Sequence, residues 1–367
     1  MQVYYLTVSF VFIMSFMAQD TRENPLAEHG FSSNPLARIR VSSLFVFMSF
    51  LALFLVAGLR WNVGTDYPQY ARLYWSYSRV PIEELFNPRI SNLGLFGIRA
   101  LSIVSRFIYD DPATMFLLAS LVTIGLSVRH ISRSSDMFLF SIMLFIFTGS
   151  WHGSFNGMRQ SLAISVIFAG SGFMIRREFW KYALVVATAA LFHSSALVML
   201  PIYLVSGRKT DYRQWLLLTA ATVFMITSYD TLFRISEILL DKEVAKELPY
   251  MTRRVNILRV AASWAPVLLY LMSRKTYGKD RESNFYINML IITAMLKVGT
   301  MNSAYLMRIT GYTGVFVPLA LPRLVGCFEK RSALLLKLFI LGLYAIFWHV
   351  EISKTPNLSN FRWIFAR

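Results

Sequence analysis

Apolar residues along this chain come in blocks of about 16 to 20, enough to cross a bilayer as helix, separated by short loops rich in Arg and Lys. Stretches such as Phe138 to Phe147 and Leu338 to Phe347 are apolar nearly all the way round. That fits neither the period of a half-buried strand nor the one-faced period of a surface helix. The pattern predicts an all-α polytopic integral membrane protein. Segments are expected near 3 to 18, 41 to 59, 113 to 128, 137 to 152, 158 to 175, 181 to 205, 214 to 229, 257 to 273, 284 to 300, 304 to 322 and 334 to 350.

The basic loops orient these segments. Arg38-Ile39-Arg40, Arg176 to Lys181, Arg274 to Arg281 and Lys330-Arg331 should all be cytoplasmic. Gly207 to Arg213 is basic as well, so the chain between Lys181 and Arg213 must leave the cytoplasm and return. Residues 181 to 205 are therefore expected to form a hairpin of two short helices broken near Phe192-His193-Ser194-Ser195, for about 11 to 12 membrane segments in all. The stretch Asn92 to Tyr109 carries Arg99 and Arg106 and reads as an amphipathic helix in the outer interface. The whole chain, 1 to 367, is then one membrane domain with outward excursions at about 60 to 111 and 230 to 256.

Composition sharpens this picture. A formal net charge of +17 invites a nucleic-acid reading, but the Lys and Arg lie in short loops rather than on one face or in a tail, so membrane lipid is the partner they imply. Cys327 is the only cysteine, which rules out an intramolecular disulfide and a thiolate metal cage. Met1 to Ala18 lacks a basic start and a clear small-x-small cleavage site and reads as a retained first span.

No Asp or Glu lies within an apolar block, which counts against ion-coupled transport. There is no Asp-x-Asp, no His-Glu-x-x-His and no Gly-rich phosphate loop, so neither a metal nor a nucleotide cofactor is expected. What remains is a set of cations at outward span ends: Arg60, Arg159 and Arg308, with Arg259 on the same side. Guanidinium forks match phosphate oxygens bidentately, so a lipid-linked pyrophosphate is a natural partner.

Four elements then align in order with a known family. The tract Arg60-Trp61-Asn62-Val63-Gly64-Thr65-Asp66-Tyr67, with Tyr70 after it, resembles the N-terminal signature of the EpsG-like, Wzy-type polysaccharide polymerases. Gly157-Met158-Arg159-Gln160-Ser161, Phe192-His193-Ser194-Ser195-Ala196-Leu197 and Arg308-Ile309-Thr310-Gly311-Tyr312 resemble its later elements. The likeness covers roughly residues 40 to 325, and the Arg-rich stretch after Tyr70 departs from it.

The resemblance implies a metal-independent, GT-C-like glycosyltransferase in the bacterial inner membrane, with its site facing the periplasm. It would transfer a growing glycan from undecaprenyl pyrophosphate to a sugar of the next lipid-linked repeat unit, for O-antigen or exopolysaccharide. A chain-length regulator protein is a further expected partner. Arg159 and Arg308 would stabilise the leaving pyrophosphate. His193 is read as a base or phosphate ligand, and Asp66 as a base or a turn former after Gly64. Arg60, Tyr67, Tyr70, Gln160 and Tyr312 would bind substrate, Arg60 alternatively pairing with Asp66. Trp61, Trp75 and Trp151 are expected at the membrane interface. An O-antigen ligase-type enzyme using the same donor, and a lipid-linked oligosaccharide flippase, are the competing readings.

Overall fold

A computed structural model describes residues 1–23, 35–86, 93–239, 254–355 and 357–366. The described residues are helical with connecting turns, and the one pairing of extended backbone is an isolated antiparallel bridge between Arg60 and Trp363. They group into two compact units. The first comprises Met1–Ser171, Trp180–Leu197 and Lys330–Arg367; the second comprises Gly172–Phe179 and Val198–Glu329.

In the first unit, α1 (Gln2–Glu23) packs on α2 (Pro35–Gly58), followed by the short α3 (Tyr67–Tyr77), α4 (Phe96–Ile108) and the long α5 (Pro112–Ser134). Then come α6 (Phe138–Phe147), α7 (Met158–Ala169), α8 (Ser171–Ile175), at whose first residue this unit ends, and α9 (Phe179–Phe192). Helix α5 starts where its composition says it should. Asp111 caps it, accepting from the Ala113 N–H at 2.8 Å, and Pro112 follows as its first residue.

Polar contacts sort this unit into two ends. At one, Arg22 donates to Ser42 Oγ and to the Ser132 carbonyl, and Gln19 Oε1 accepts from the Leu139 N–H. At the other, the N-terminal ammonium of Met1 donates to the Ser359 carbonyl, and the turn after α2 meets the residues after α6. Alternating ends for successive long helices is what the basic loops lead one to expect.

The second unit holds α10 (Met199–Ser206), α11 (Tyr212–Leu239), α12 (Ile257–Ala262), α13 (Ala265–Ser273) and α14 (Arg281–Gly299). It continues with α15 (Ala304–Met307), α16 (Gly311–Gly314) and α17 (Val317–Val325). Helix α14 is its hub and is buried along most of its length. Asp280 caps it through the Glu282 and Ser283 N–H groups, and the Ser283 hydroxyl and these N–H donors hold the Asp280 carboxyl below the usual carboxylate range. Fully buried Asn288 ties the hub to the preceding loop: its amide donates to the Ser206 and Arg208 carbonyls and its oxygen accepts from Thr210 Oγ1. Helix α18 (Lys330–Lys354) returns to the first unit, where it packs on α6.

The expected 11 to 12 membrane segments are not all full-length spans. Among the described residues, four helices, Gln2–Arg22, Val41–Gly58, Pro112–Ser134 and Lys330–Lys354, are long and apolar enough to cross a membrane. A fifth is counted if Ala304–Gly314 and Val317–Val325 are one span bent by 55°. Several other apolar blocks are realised as shorter helices such as Phe138–Phe147, Met158–Ala169 and Phe179–Phe192. Local chemistry accounts for the interruptions. Gly149 adopts φ +92°, and Pro318 follows the bend at Gly314. The break expected near His193 is present, since α9 ends at Phe192 and a 3₁₀ turn, Ser194–Val198, follows. Of the expected excursion at 230 to 256, residues 240–253 lie outside the described residues, and 230–239 prolong α11.

Helix α4 is amphipathic, as read. Arg99, Ser102 and Ser105 face inward, while Val104, Phe107 and Ile108 are exposed, an orientation suited to apolar surroundings. Trp151 departs from the interfacial expectation: it is fully buried and donates from Nε1 to the Leu53 carbonyl at 3.1 Å. An indole whose N–H finds a backbone acceptor can sit in a core.

Candidate active site

Three of the four sequence elements meet in the first unit at the end that holds Arg60. The chain leaves α2 through Arg60, whose guanidinium is 1% exposed and lies between the rings of Phe116 (5.0 Å) and Phe155 (4.8 Å). It donates to the Ala57 carbonyl. Burial pulls its pKa down to about 10, with the phenols of Tyr67, Tyr4 and Tyr70 acting the other way, so the group is still a cation at neutral pH. No ion pair joins Arg60 to Asp66 among the described residues, so the suggested pairing is not how this turn is held.

Four hydrogen bonds hold it instead. The turn runs through Asn62 at φ 50° and Gly64 at φ +101°. The Thr65 N–H donates to Asn156 Oδ1 at 2.7 Å, and the Gly64 N–H donates to the Asn357 carbonyl at 3.1 Å. The C-terminal segment also crosses it: the Trp61 N–H donates to the Arg362 carbonyl and the Ile364 N–H to the Leu59 carbonyl. Asp66 begins α3 without a side-chain capping bond; its Oδ1 accepts from Thr65 Oγ1 at 3.2 Å and the residue is half-buried. A carboxylate that is not spent on the turn stays accessible.

Helix α3 brings its tyrosines onto α5 and α7. Tyr67 stacks on Phe116 with ring centroids 4.1 Å apart, and Tyr70 accepts at its hydroxyl from the Arg159 N–H at 3.4 Å. Both belong to a core with Tyr74, Ile98, Met115, Met158 and Leu162. The Tyr74 hydroxyl donates to Asp110 at 2.9 Å, and burial together with that carboxylate pushes its pKa up to about 12.

Arg159 opens α7 directly after the Asn156-Gly157 turn and is half-buried. Its Nε donates to the carbonyls of Gly94 and Phe192, both at 3.1 Å, and its Nη2 donates to Gly94 at 2.5 Å. The backbone around it is tight. A Cβ on Gly94 would stand 2.8 Å from the Ser194 nitrogen and 3.3 Å from Arg159 Nη2; one on Gly97 would stand 2.5 Å from the Phe192 ring. His193 follows Phe192 at the end of α9, half-buried, with Nδ1 2.7 Å from Ser195 Oγ. Gln160 is next in α7 and half-buried beside Gly157.

Arg159, His193, Tyr70, Tyr67 and the Gly64 turn are thus linked through shared contacts, with Asp66 and Gln160 beside them in sequence. Arg60 lies within the same unit but under this surface, where a substrate contact would require its ring cage to open. Arg308 and Tyr312 belong to the second unit. There Arg308 is exposed at the start of a 3₁₀ turn, after a short helix capped by Ser303, and Tyr312 is fully buried.

Gly94, Gly97, Asn156 and the segment after Pro356 were not picked out from the sequence. Asn156, next to the Arg159 element, carried the only usable signal. Among the described residues, no group of three or more His, Cys, Asp or Glu is placed to hold a metal ion. The chemistry on offer is hydrogen-bond donation from a guanidinium and from hydroxyls, with one nearby carboxylate.

The model of the EpsG family matches residues 43–364, nearly the whole chain, including the C-terminal segment that braces Gly64. No curated protein and no solved structure matches the chain.

Proposed function

The chain belongs to the EpsG family, a family of polysaccharide polymerases, and from that premise we propose that it is a metal-independent membrane glycosyltransferase of the Wzy type. In this reading it transfers a growing glycan from undecaprenyl pyrophosphate to a sugar hydroxyl of another lipid-linked repeat unit, at the outer face of the inner membrane. The single observation that supports it best is Arg159: a half-buried cation whose side chain is held by two backbone carbonyls and whose backbone is held by Tyr70. Such a group is pre-aimed, and its remaining N–H bonds suit a diphosphate whose charge grows as the anomeric bond breaks.

Asp66 is the carboxylate nearest in the chain to this cluster and takes the role of proton acceptor for the attacking hydroxyl. Arg60 serves the fold beneath, and Tyr67 and Tyr70 position α3 over α7. Arg308, in the second unit, is a further exposed cation suited to a lipid-linked phosphate. The test is surface-glycan length in a deletion strain. The null should carry caps of one repeat unit, wild-type complementation should restore long chains, and Arg159→Ala should not. Long chains in the null strain would exclude a polymerase, and complete loss of the first cap as well would favour a ligase or a flippase.

A further inference from the structure

Helix α4 carries a second buried guanidinium in this unit. Arg99 is 6% exposed, and its Cζ stands 4.6 Å from the centroid of the Tyr77 ring at the end of α3. Among the described residues it forms no ion pair, and neither Nε nor Nη1 finds a hydrogen-bond partner. Other arginines of the unit are spent differently. Arg79 pairs with Asp110 at 3.3 Å, Arg106 donates from Nη1 to the Ser78 carbonyl, and Arg159 is clamped by the Gly94 and Phe192 carbonyls. A buried cation resting on one ring is costly, because the ring offsets part of the lost hydration and leaves the N–H groups without an acceptor.

The surroundings of Arg99 supply no anion either. Arg99 and Ile103 lie one turn apart on the inward face of α4, and with Tyr77, Val80 and Leu85 they line a narrow cleft. Leu85 belongs to a 3₁₀ turn, Ile82–Phe86, whose Glu83 and Glu84 are exposed and unpaired with Arg99. Asp110, beyond the end of α4, is held by Tyr74 and Arg79. The cleft therefore presents unspent guanidinium donors between apolar walls, where exclusion of water strengthens their attraction for charge.

We infer that Arg99 and Tyr77 form a subsite for one anionic group, a carboxylate or a phosphate, separate from the Arg159 clamp. Oxygens of such a group match guanidinium N–H donors in number and plane. The cleft is narrow, so it takes the group end-on and leaves the body of its bearer outside. Two bearers share this chemistry. One is an acidic substituent on a glycan; the other is a lipid headgroup, since Val104, Phe107 and Ile108 expose an apolar flank on the same helix.

The test reads binding, so its failure leaves the polymerase reading standing, and that reading fails separately on long chains in the null strain. Purified full-length protein in neutral detergent is titrated with inorganic phosphate, glucuronate or phosphatidylglycerol, with sodium chloride at equal ionic strength, glucose and phosphatidylcholine as controls. Unfolding temperature is the readout. At least one of the three anions should raise it saturably in wild type, and Arg99→Met should move the midpoint of that response at least about tenfold upward, as for loss of a hydrogen bond to a charged group. Arg106→Gln should respond as wild type does. Repeating the titrations in Arg159→Ala separates any response that runs through the clamp. A response to phosphate or glucuronate assigns the subsite to a free or glycan-borne anion; one to phosphatidylglycerol alone assigns it to a headgroup. No anion response, or equal midpoints with and without Arg99 in both backgrounds, overturns the subsite.

A second measurement needs no ligand. In low-salt buffer without these anions, Arg99→Met should unfold at or above the wild-type temperature, because an uncompensated buried charge is replaced by an apolar chain of similar length. A fall of several degrees, or loss of folded protein, would show that the fold already satisfies the guanidinium and would overturn the inference.

Discussion

Replacing Gly64 by Ala is expected to damage the site from a position that contacts no reacting atom. At φ +101° an L residue carries backbone strain of about 1 to 3 kcal/mol. The added methyl would also stand 2.6 Å from the Phe155 carbonyl oxygen and 2.7 Å from Asn156 Oδ1. Relief to 3.0 Å needs a displacement of at least 3.0 − 2.6 = 0.4 Å against backbone that cannot swing aside. Overpacking of this kind costs about 1 to 3 kcal/mol. The same displacement loosens the 2.7 Å bond from the Thr65 N–H to Asn156, worth about 1 kcal/mol net. Together these come to roughly 3 to 7 kcal/mol, the lower part of the range applying if the turn yields.

Because Asn156 leads directly into Gly157 and Arg159, movement there also shifts the guanidinium, and a displacement of about an ångström can cost on the order of 100-fold in rate. Thermal unfolding in detergent and surface-glycan length are the two readouts. Gly153→Ala is the control, since a Cβ there meets nothing within 4 Å; it should stay within about 0.5 kcal/mol of wild type. A Gly64→Ala protein that unfolds with wild type and makes full-length glycan would refute the account of this turn.

Other consequences can be measured alongside. Arg159→Lys should fall nearly as far as Arg159→Ala, on the order of 100-fold in polymer yield, because an ammonium cannot span the Gly94 and Phe192 carbonyls as a planar fork does; near-normal glycan from the Lys variant would count against the clamp. Truncation after Thr355 removes the acceptors of the Trp61 and Gly64 N–H groups and the bond from Ile364 to Leu59, on the order of 3 kcal/mol for three hydrogen bonds, and should lower the unfolding temperature while shortening the glycan. Asp280 has a depressed pKa, so the stability it lends α14 is present above the ordinary carboxylate value and is lost as pH falls through its own lower one. Asp280→Asn should therefore flatten the acid limb of stability, read as unfolding temperature against pH below about 4.

The all-helical membrane class was legible in the sequence because long apolar blocks leave the backbone no way to satisfy itself in lipid except as helix. The Arg60, Arg159 and His193 elements were visible for a related reason: charged or breaking residues at the ends of such blocks are costly unless something local uses them. The break at His193 followed from counting basic loops, and the structure places it at the residue named. The number of full spans was not legible. Hydropathy registers apolar length, but Gly149 and Pro318 shorten or bend helices through backbone geometry that hydropathy does not register.

Tertiary structure alone decided which charged groups are accessible. In sequence Arg60 and Asp66 look like partners, six residues apart; in the fold the cation is caged by Phe116 and Phe155 and the half-buried carboxylate lies outside that cage. Nor does anything in the residues after Pro356 announce that they brace the Gly64 turn through backbone bonds. Backbone hydrogen bonds between segments some 300 residues apart carry no side-chain signature, so their placement is set by the packing of α1, α2, α6 and α18 and by nothing readable in the chain itself.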